Sequence, residues 1–349
     1  MDINTSTFTG PLEPQQLKAA SHILFYALPE LVASKFGSQQ GVPNNTGDQI
    51  KFTYFEFFPV SGIPTVEGIT PASLPLVRRN VTLTLLQYLT WTPITDWTVE
   101  LHPDNIMTPI LKNLATWMAQ TVELVTLNAL LAGTNVLYAN GSSRTTVLAP
   151  ISRAMVGRVN EIFTVNAAKK IKEIMSASLK IATTPIAASY VAFITPACED
   201  DVRHCTNFKP VSMYSNPQGA LPNEIGNVEG VRFVTCNFLK YYSAASTNAT
   251  STTYRSAGAD TSAAAGGSAG YPDVHPVLFI SQDAYACANL NKTKSGQVIL
   301  KKPGIGDSGD PGGQRGTAAI KFWFGAQILT DLYLIRGEVA CTNPLSQPW

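Results

Sequence analysis

Residues 80–97 read NVTLTLLQYLTWTPITDW. Val81, Leu83 and Leu85 alternate with Thr82 and Thr84, a period of two that predicts a β-strand with one apolar face. Upstream, IKFTYFEFFPV at 50–60 carries the aromatic and β-branched residues that favour strands. Between the two lies SGIPTVEGITPASLP, whose glycines and prolines mark a loop. The three segments predict a long two-stranded ribbon with a broad tip. A lone ribbon is marginal in water, so it needs a surface to lie on, its own domain or a neighbouring copy.

Working outward, the strongest helical pattern follows the ribbon. Thr108 suits an N-cap, Pro109 the first helical position and Gly133 the stop. Ile110, Leu114, Trp117, Met118, Val122, Val125 and Leu130 form one stripe, predicting a helix of about 24 residues and about 36 Å. A second helix begins near Ser152, with Val156, Val159, Ile162 and Phe163 on one side. Before the ribbon, residues 1–46 form a mixed leader. Its amphipathic stretch over 13–36 (Leu17, Leu24, Leu28, Leu31) is interrupted by Pro29.

Further along, SYVAFITP at 189–196 reads as a strand running into a helix start. Thr195 would cap, Pro196 open, and Glu199, Asp200 and Asp201 sit where the helix dipole favours acids. Residues 223–238 read as a turn and a strand. The segment 243–270 is small and low-complexity, a surface loop or insertion that cannot bury much apolar surface. HPVLFIS and QVILKK read as short strands flanking a polar connection. TAAIKFWFGAQILTDLYLIRGEVA at 317–340 reads as two strands apolar on both faces.

Composition narrows the function classes. The chain has 349 residues, 45% of them hydrophobic, yet 14% are charged, against about 25% in ordinary soluble domains. No apolar run approaches the ~18 residues of a membrane helix. A charge-poor chain without a membrane segment is expected to hide surface against other chains. The net charge is +1, and Lys and Arg are scattered without a nucleic-acid footprint. The densest cluster, Lys169, Lys170 and Lys172, reads as a solvated helix face. The five cysteines (Cys198, Cys205, Cys236, Cys287, Cys341) are odd in number and lack a CxxC pair. That pattern indicates neither a disulfide framework nor a zinc knuckle. With no signal peptide at the N-terminus, the expected location is cytoplasmic and reduced.

Two catalytic signatures overlap in GIGDSGDPGGQRG at 304–316. Gly304, Gly306 and Gly309 have the GxGxxG spacing, but the last glycine of a dinucleotide loop must open a helix, and Asp310-Pro311-Gly312-Gly313 does not. Residues 306–311, GDSGDP, differ by one residue from the trypsin-type GDSGGP. None of His22, His102, His204 and His275 sits in a protease histidine context, and Asp310 replaces an oxyanion-hole glycine. The segment reads as a turn leading into a buried strand. Cys198, His204 and Cys205, with Glu199 and Asp200, suggest a metal site but lack a second half, so an amphipathic helix with two buried thiols is the preferred reading. Glu67 and Glu224 have no evident catalytic partner. The residues therefore predict no catalytic, cofactor-binding or metal-binding site, no cofactor and no enzyme.

The ordered series GDQIKF, VEGITP, YLTWTPITDW, LLAGTNVLYANG, SYVAFITPACEDDVR, NEIGNVEGVRFV and GDPGGQRGTAAIKFWFGAQIL resembles the major capsid proteins of tailed bacteriophages with the Hong Kong 97-type fold, over about 47–338. The resemblance implies an α+β fold with an N-terminal arm (1–46) and an extended β-hairpin loop (47–99). A peripheral domain with a long spine helix (100–184) and an axial domain (185–300) carrying the 243–270 insertion would follow. The C-terminal strands (301–349) would return to the peripheral domain. It implies a shell protein assembling as hexamers and pentamers around double-stranded DNA contacted non-specifically, without a membrane. Its partners would be many copies of itself, with separate scaffolding, portal and decoration proteins. Inter-subunit contact candidates are Phe52, Phe55, Phe57, Glu67, Arg78, Arg79 and Trp91. An encapsulin-like compartment and a cytoplasmic enzyme with an unrecognised site are the alternatives.

Overall fold

A computed structural model describes residues 32–43, 47–56, 58, 64, 66–70, 72–101, 107–175, 183–214, 221, 223–243, 272–290, 297–301, 303–304 and 310–342. The leader to residue 31, the 243–270 segment beyond Ser243 and Phe57 lie outside them. In chain order the strands are β1 (Ser38–Val42), β2 (Gln49–Phe55), β3 (Arg78–Thr84) and β4 (Leu86–Thr95). Helices α1 (Asp96–Glu100) and α2 (Met107–Leu131) follow, then β5 (Val136–Tyr138), α3 (Arg153–Val165), β6 (Ile171–Met175), β7 (Thr183–Ile194) and α4 (Glu199–Arg203). The chain continues through β8 (Lys209–Pro210), β9 (Glu224–Val228), β10 (Val231–Thr235), β11 (Val274–Ile280), β12 (Tyr285–Leu290), β13 (Gln297–Lys301), β14 (Arg315–Ile328) and β15 (Leu334–Ala340).

Two compact units result, and α2 and β14 contribute to both. In the larger, the central sheet runs β5-β15-β11-β7-β10-β9-β8, with β6 on β7. Its middle strands are apolar on both faces, as their sequences require: every residue of β11 is buried. Helix α3 starts where Ser152 Oγ accepts the Met155 amide at 3.3 Å and lays Val156, Val159 and Phe163 on the sheet. Phe163 meets Tyr190 at 4.8 Å and Phe233 meets Phe279 edge-on at 6.3 Å. Each such side chain contributes roughly 1.5–3 kcal/mol on burial.

In the smaller unit, β4 and β13 flank the first part of β14. Ile94, Leu114, Ala318 and Ile320 form its core, with Ile110, Trp117 and Met118 packed on it. Tyr88 and Trp117 bracket the Phe322 ring at 5.4 and 6.0 Å.

Several expectations are revised. The strand expected over 80–97 is two strands. The Leu85 amide donates to Asp48 O at 2.8 Å and closes the ribbon, and β4 then leaves to pair with β14. The ribbon is thus β2 and β3 alone. Alternation cannot reveal the break, because Leu83 and Leu85 are both buried. Helix α2 begins at Met107, so Thr108 lies in its first turn rather than at its cap. The polar connection before QVILKK contains β12, whose YACA is fully buried; its small residues carry little strand propensity. Residues 224–235 form a hairpin, β9 to β10, turning on Glu229 and Gly230, both at positive φ.

Two buried carboxylates tie the larger unit together. Glu123 on α2 accepts the amides of Val32, Ala33 and Ser34 at 3.1, 2.6 and 3.0 Å. Glu338 on β15 takes both ends of the Arg144 guanidinium at 2.8 and 2.7 Å and lies 3.1 Å from Arg336. Arg336 in turn donates to Leu131 O at the end of α2, where a cation suits the dipole. The cysteines also depart from expectation. Cys198 is joined to Cys341 across 143 residues of sequence, a pairing that local spacing cannot disclose.

Replacing Glu123 with Leu leaves three amides facing an apolar side chain. Unpaired buried donors cost about 1–3 kcal/mol each, so the three together should cost at least about 3 kcal/mol. Urea unfolding and faster hydrogen exchange at residues 32–34 would register it; unchanged exchange there would contradict it. Burial pushes the thiol of Cys205 up to about 11, and those of Cys236 and Cys287 up to about 12. All three should therefore stay protonated and resist iodoacetamide at pH 8 in the folded chain, then react on denaturation; mass mapping of the adducts checks this.

Candidate assembly surface

The ribbon pairs Gln49 with Thr84 through Phe55 with Arg78. Directly opposed residues share a face, so Thr53, Phe55, Arg78 and Asn80 lie on one side, and Phe52, Tyr54, Arg79 and Val81 on the other. The first side carries a polar ladder. Arg78 donates to Asn80 Oδ1 and Thr53 Oγ1, both at 3.2 Å, and the Thr53 hydroxyl donates to Asn80 Oδ1 at 2.9 Å. On the second, Arg79 and Glu56 pair at 2.5 Å in an exposed position. The hydrogen bond and charge of Glu56 raise the guanidinium pKa. Exposed pairs of this kind add little stability; this one orients two side chains at the ribbon's end. Further out, Ile69 N–H donates to Val66 O at 3.1 Å, turning the chain through Glu67 and Gly68, the glycine at φ +79°.

Leu83 is buried toward the base of the ribbon, whereas the apolar side chains of its outer end and loop are exposed. Phe55 is 55% exposed, Ile69 66% and Leu76 59%, and Phe58, Val66 and Leu74 are also exposed. Isolated surface apolars are ordinary, but so many within one hairpin and its loop form an unusually apolar exposed surface, a candidate for contact. The smaller unit has its own set: Leu89, Trp91, Val99, Leu101 and Trp97, the last 71% exposed. Trp97 and Leu101 are four residues apart, on one face of α1 and its C-cap.

Of the residues anticipated from sequence, the structure brings Phe52, Phe55, Arg78 and Arg79 together on the ribbon. Glu67 is exposed at the distal turn, Trp91 belongs to β4 in the smaller unit, and Phe57 lies outside the described residues. Sequence reasoning missed Tyr54, Leu74, Leu76, Trp97, Val99 and Leu101. No local pattern separates these from other strand, helix and loop residues; only their exposure in the fold does.

The segments that carried the tempting motifs are described only in part. In the glycine-rich segment, Gly304 N–H meets Gly313 O at 2.6 Å and Asp310 accepts the Arg315 amide at 2.7 Å, a turn that starts β14; residues 305–309 lie outside the description. His204 is exposed on α4 with Asp200 O 2.8 Å from its Nδ1. Cys205 points inward, donating to Ile151 O. The Cys198–His204–Cys205 trio is thus not assembled. Glu224 is buried beside Arg232, accepting from the Tyr214 hydroxyl and the Leu221 amide, each at 2.7 Å. An open cleft of about 540 Å³ lies between Tyr54, Val81, Ala129, Ala132 and Leu332. No described helix is long and apolar enough to cross a membrane.

No protein-family model and no curated protein matches this sequence. Solved structures do. The head of Helicobacter pylori bacteriophage KHP40 aligns with a TM-score of 0.61 at 12% identity, over 91% of this chain and 90% of that one. The capsid of Ralstonia phage GP4 gives 0.59 at 13% identity over 92% and 90%. The capsid of cyanophage Pam1 gives 0.57 at 15% identity over 89% and 91%. All three are phage head or capsid structures, and matching extends along nearly the whole length of each chain. The chain has the Hong Kong 97-type fold of phage capsid proteins.

Proposed function

We propose that this chain is the major shell protein of a tailed-phage head. Its copies associate into hexamers and pentamers that close into an icosahedral container for double-stranded DNA, assembled in the host cytoplasm. The observation that carries the reading is the exposed apolar hairpin and its loop on a subunit with this fold. Isolated, those side chains cost solvation; laid across a sister copy they recover it. Each contact is modest, and closure of the shell makes many of them simultaneous. A net charge of +1 suits a wall that touches DNA without reading sequence.

On this reading residues 1–46 are the arm, 47–99 the extended loop, 100–184 the peripheral domain, 185–300 the axial domain and 301–349 the returning strands. Phe52, Phe55, Phe57, Glu67, Arg78, Arg79 and Trp91 contact neighbouring subunits, joined by Leu76 and Trp97. Scaffolding, portal and decoration proteins are the expected further partners. The subunit performs no catalysis in this role.

Electron microscopy of the purified chain should show uniform particles or ring-shaped capsomers; a chain that stays monomeric at high concentration would end the reading. The Phe55→Ser, Leu76→Ser double variant removes exposed side chains, so its folding stability should stay within about 0.5 kcal/mol of the parent. Assembly should nonetheless weaken by roughly 1–3 kcal/mol per truncated contact, about 5- to 150-fold each, visible in sedimentation as a shift from particles to free subunits. Undiminished assembly would remove the hairpin from the interface.

A further inference from the structure

Cys198, His275 and Cys341 converge at one end of the central sheet, although 77 and 66 residues separate them in sequence. Topology brings them there. Strands β15, β11 and β7 are neighbours, with Val274 opposite Ala340 and His275 opposite Val339. Cys341 is the first residue beyond β15, His275 the second of β11, and Cys198 closes the short 3₁₀ turn Pro196–Cys198 that follows β7. All three are buried, at 0, 4 and 0% exposure, and one donor atom from each lies within 4.8 Å of the others.

The surroundings are built to hold them. Thr195 does not cap the turn with its side chain, as the sequence suggested. Its hydroxyl instead lies 3.1 Å from His275 Nδ1 and donates to Cys198 Sγ at 3.4 Å, touching two of the three residues. Asp201 accepts the Thr342 amide at 2.9 Å and fixes the backbone beside Cys341. Tyr241 stacks on the His275 ring at 5.2 Å.

Two sulfurs and an imidazole are the donor set of a zinc-class cation. Charge supports the match. A single buried thiolate is costly, but two thiolates around a divalent cation are neutral as a group. A hydroxyl oriented on the ring is the outer contact that metal-bound histidines use to set their tautomer. We propose that, when its disulfide is reduced, Cys198 and Cys341 together with His275 bind one zinc-class divalent cation, so that bond and metal are exclusive occupants of the same sulfur pair. A phosphine breaks the S–S bond with two electrons, water supplying the oxygen of the phosphine oxide and the protons of the two thiols; a dithiol does the same by exchange and is itself oxidised to a disulfide. The cation then displaces one proton from each thiol to solvent, and a fourth position remains for a solvent oxygen.

The test uses the full chain and cobalt(II), a coloured stand-in for zinc. Protein unfolded and reduced with a phosphine is refolded with cobalt and freed of excess by gel filtration. The expected result is one cobalt per chain with thiolate-to-cobalt charge-transfer absorption, displaced by added zinc. Protein refolded with the disulfide intact should show neither. The Cys205→Ser, Cys236→Ser, Cys287→Ser variant should keep the absorption; Cys198→Ser and Cys341→Ser should each abolish it, and His275→Gln should shift it. Reduced parent protein that folds by circular dichroism yet retains no cobalt would overturn the proposal, whatever the variants do. Absorption persisting in a Cys198→Ser, Cys341→Ser double variant would overturn it as well.

Discussion

The carboxylate of Glu123 is the point on which the larger unit is organised. It is completely buried on α2 and answers the amides of residues 32–34. A buried charge survives when donors surround it, and here they come from a chain segment that would otherwise have no reason to stop at this place. Once that segment is fixed, the Tyr285 hydroxyl finds Ala33 O, and β1 can run parallel to β12 from Ser38 opposite Ala286 onward. Cys236 and Thr126 fill the space around the same group, Cys236 donating to Glu123 and Thr126 lying beside Cys287. One side chain on the long helix thus determines where β1 is added as an edge strand beside β12, its partner from the far end of the sequence.

What could be read from the sequence follows from how far each interaction reaches. Helix α2 was legible because its apolar stripe and the Gly133 stop are local signals. So were β14 and β15, whose apolar runs match strands covered on both faces. The ribbon was legible as a pair of strands but not in its extent, because the switch at Leu85 is made by a hydrogen bond to Asp48, not by any change in side-chain pattern. Strand β12 was hidden by its alanines, which become strand only through neighbours on both sides. Glu123, Glu338 and the Cys198–Cys341 link were illegible for one reason: each depends on a partner segment that the linear order keeps distant.

The surface follows a similar division. Ribbon aromatics and arginines announced themselves by residue type. The loop leucines and α1 apolars did not, since a leucine between prolines resembles any other loop residue until its exposure is known. The scarcity of charge points the same way. A chain that spends little of its surface on charged groups leaves apolar side chains in water, and that exposure is a solvation cost.

The polar ladder of Thr53, Arg78 and Asn80 has an effect beyond its small energy. The buried Leu83 covers one face of the ribbon toward its base, but the outer end is exposed on both faces, where shifting one strand by a single residue would present its opposite face. The three interlocked side chains work as an index mark, making one alignment distinguishable from its neighbours. Every copy of the chain therefore presents the same arrangement of aromatic and cationic groups along the ribbon.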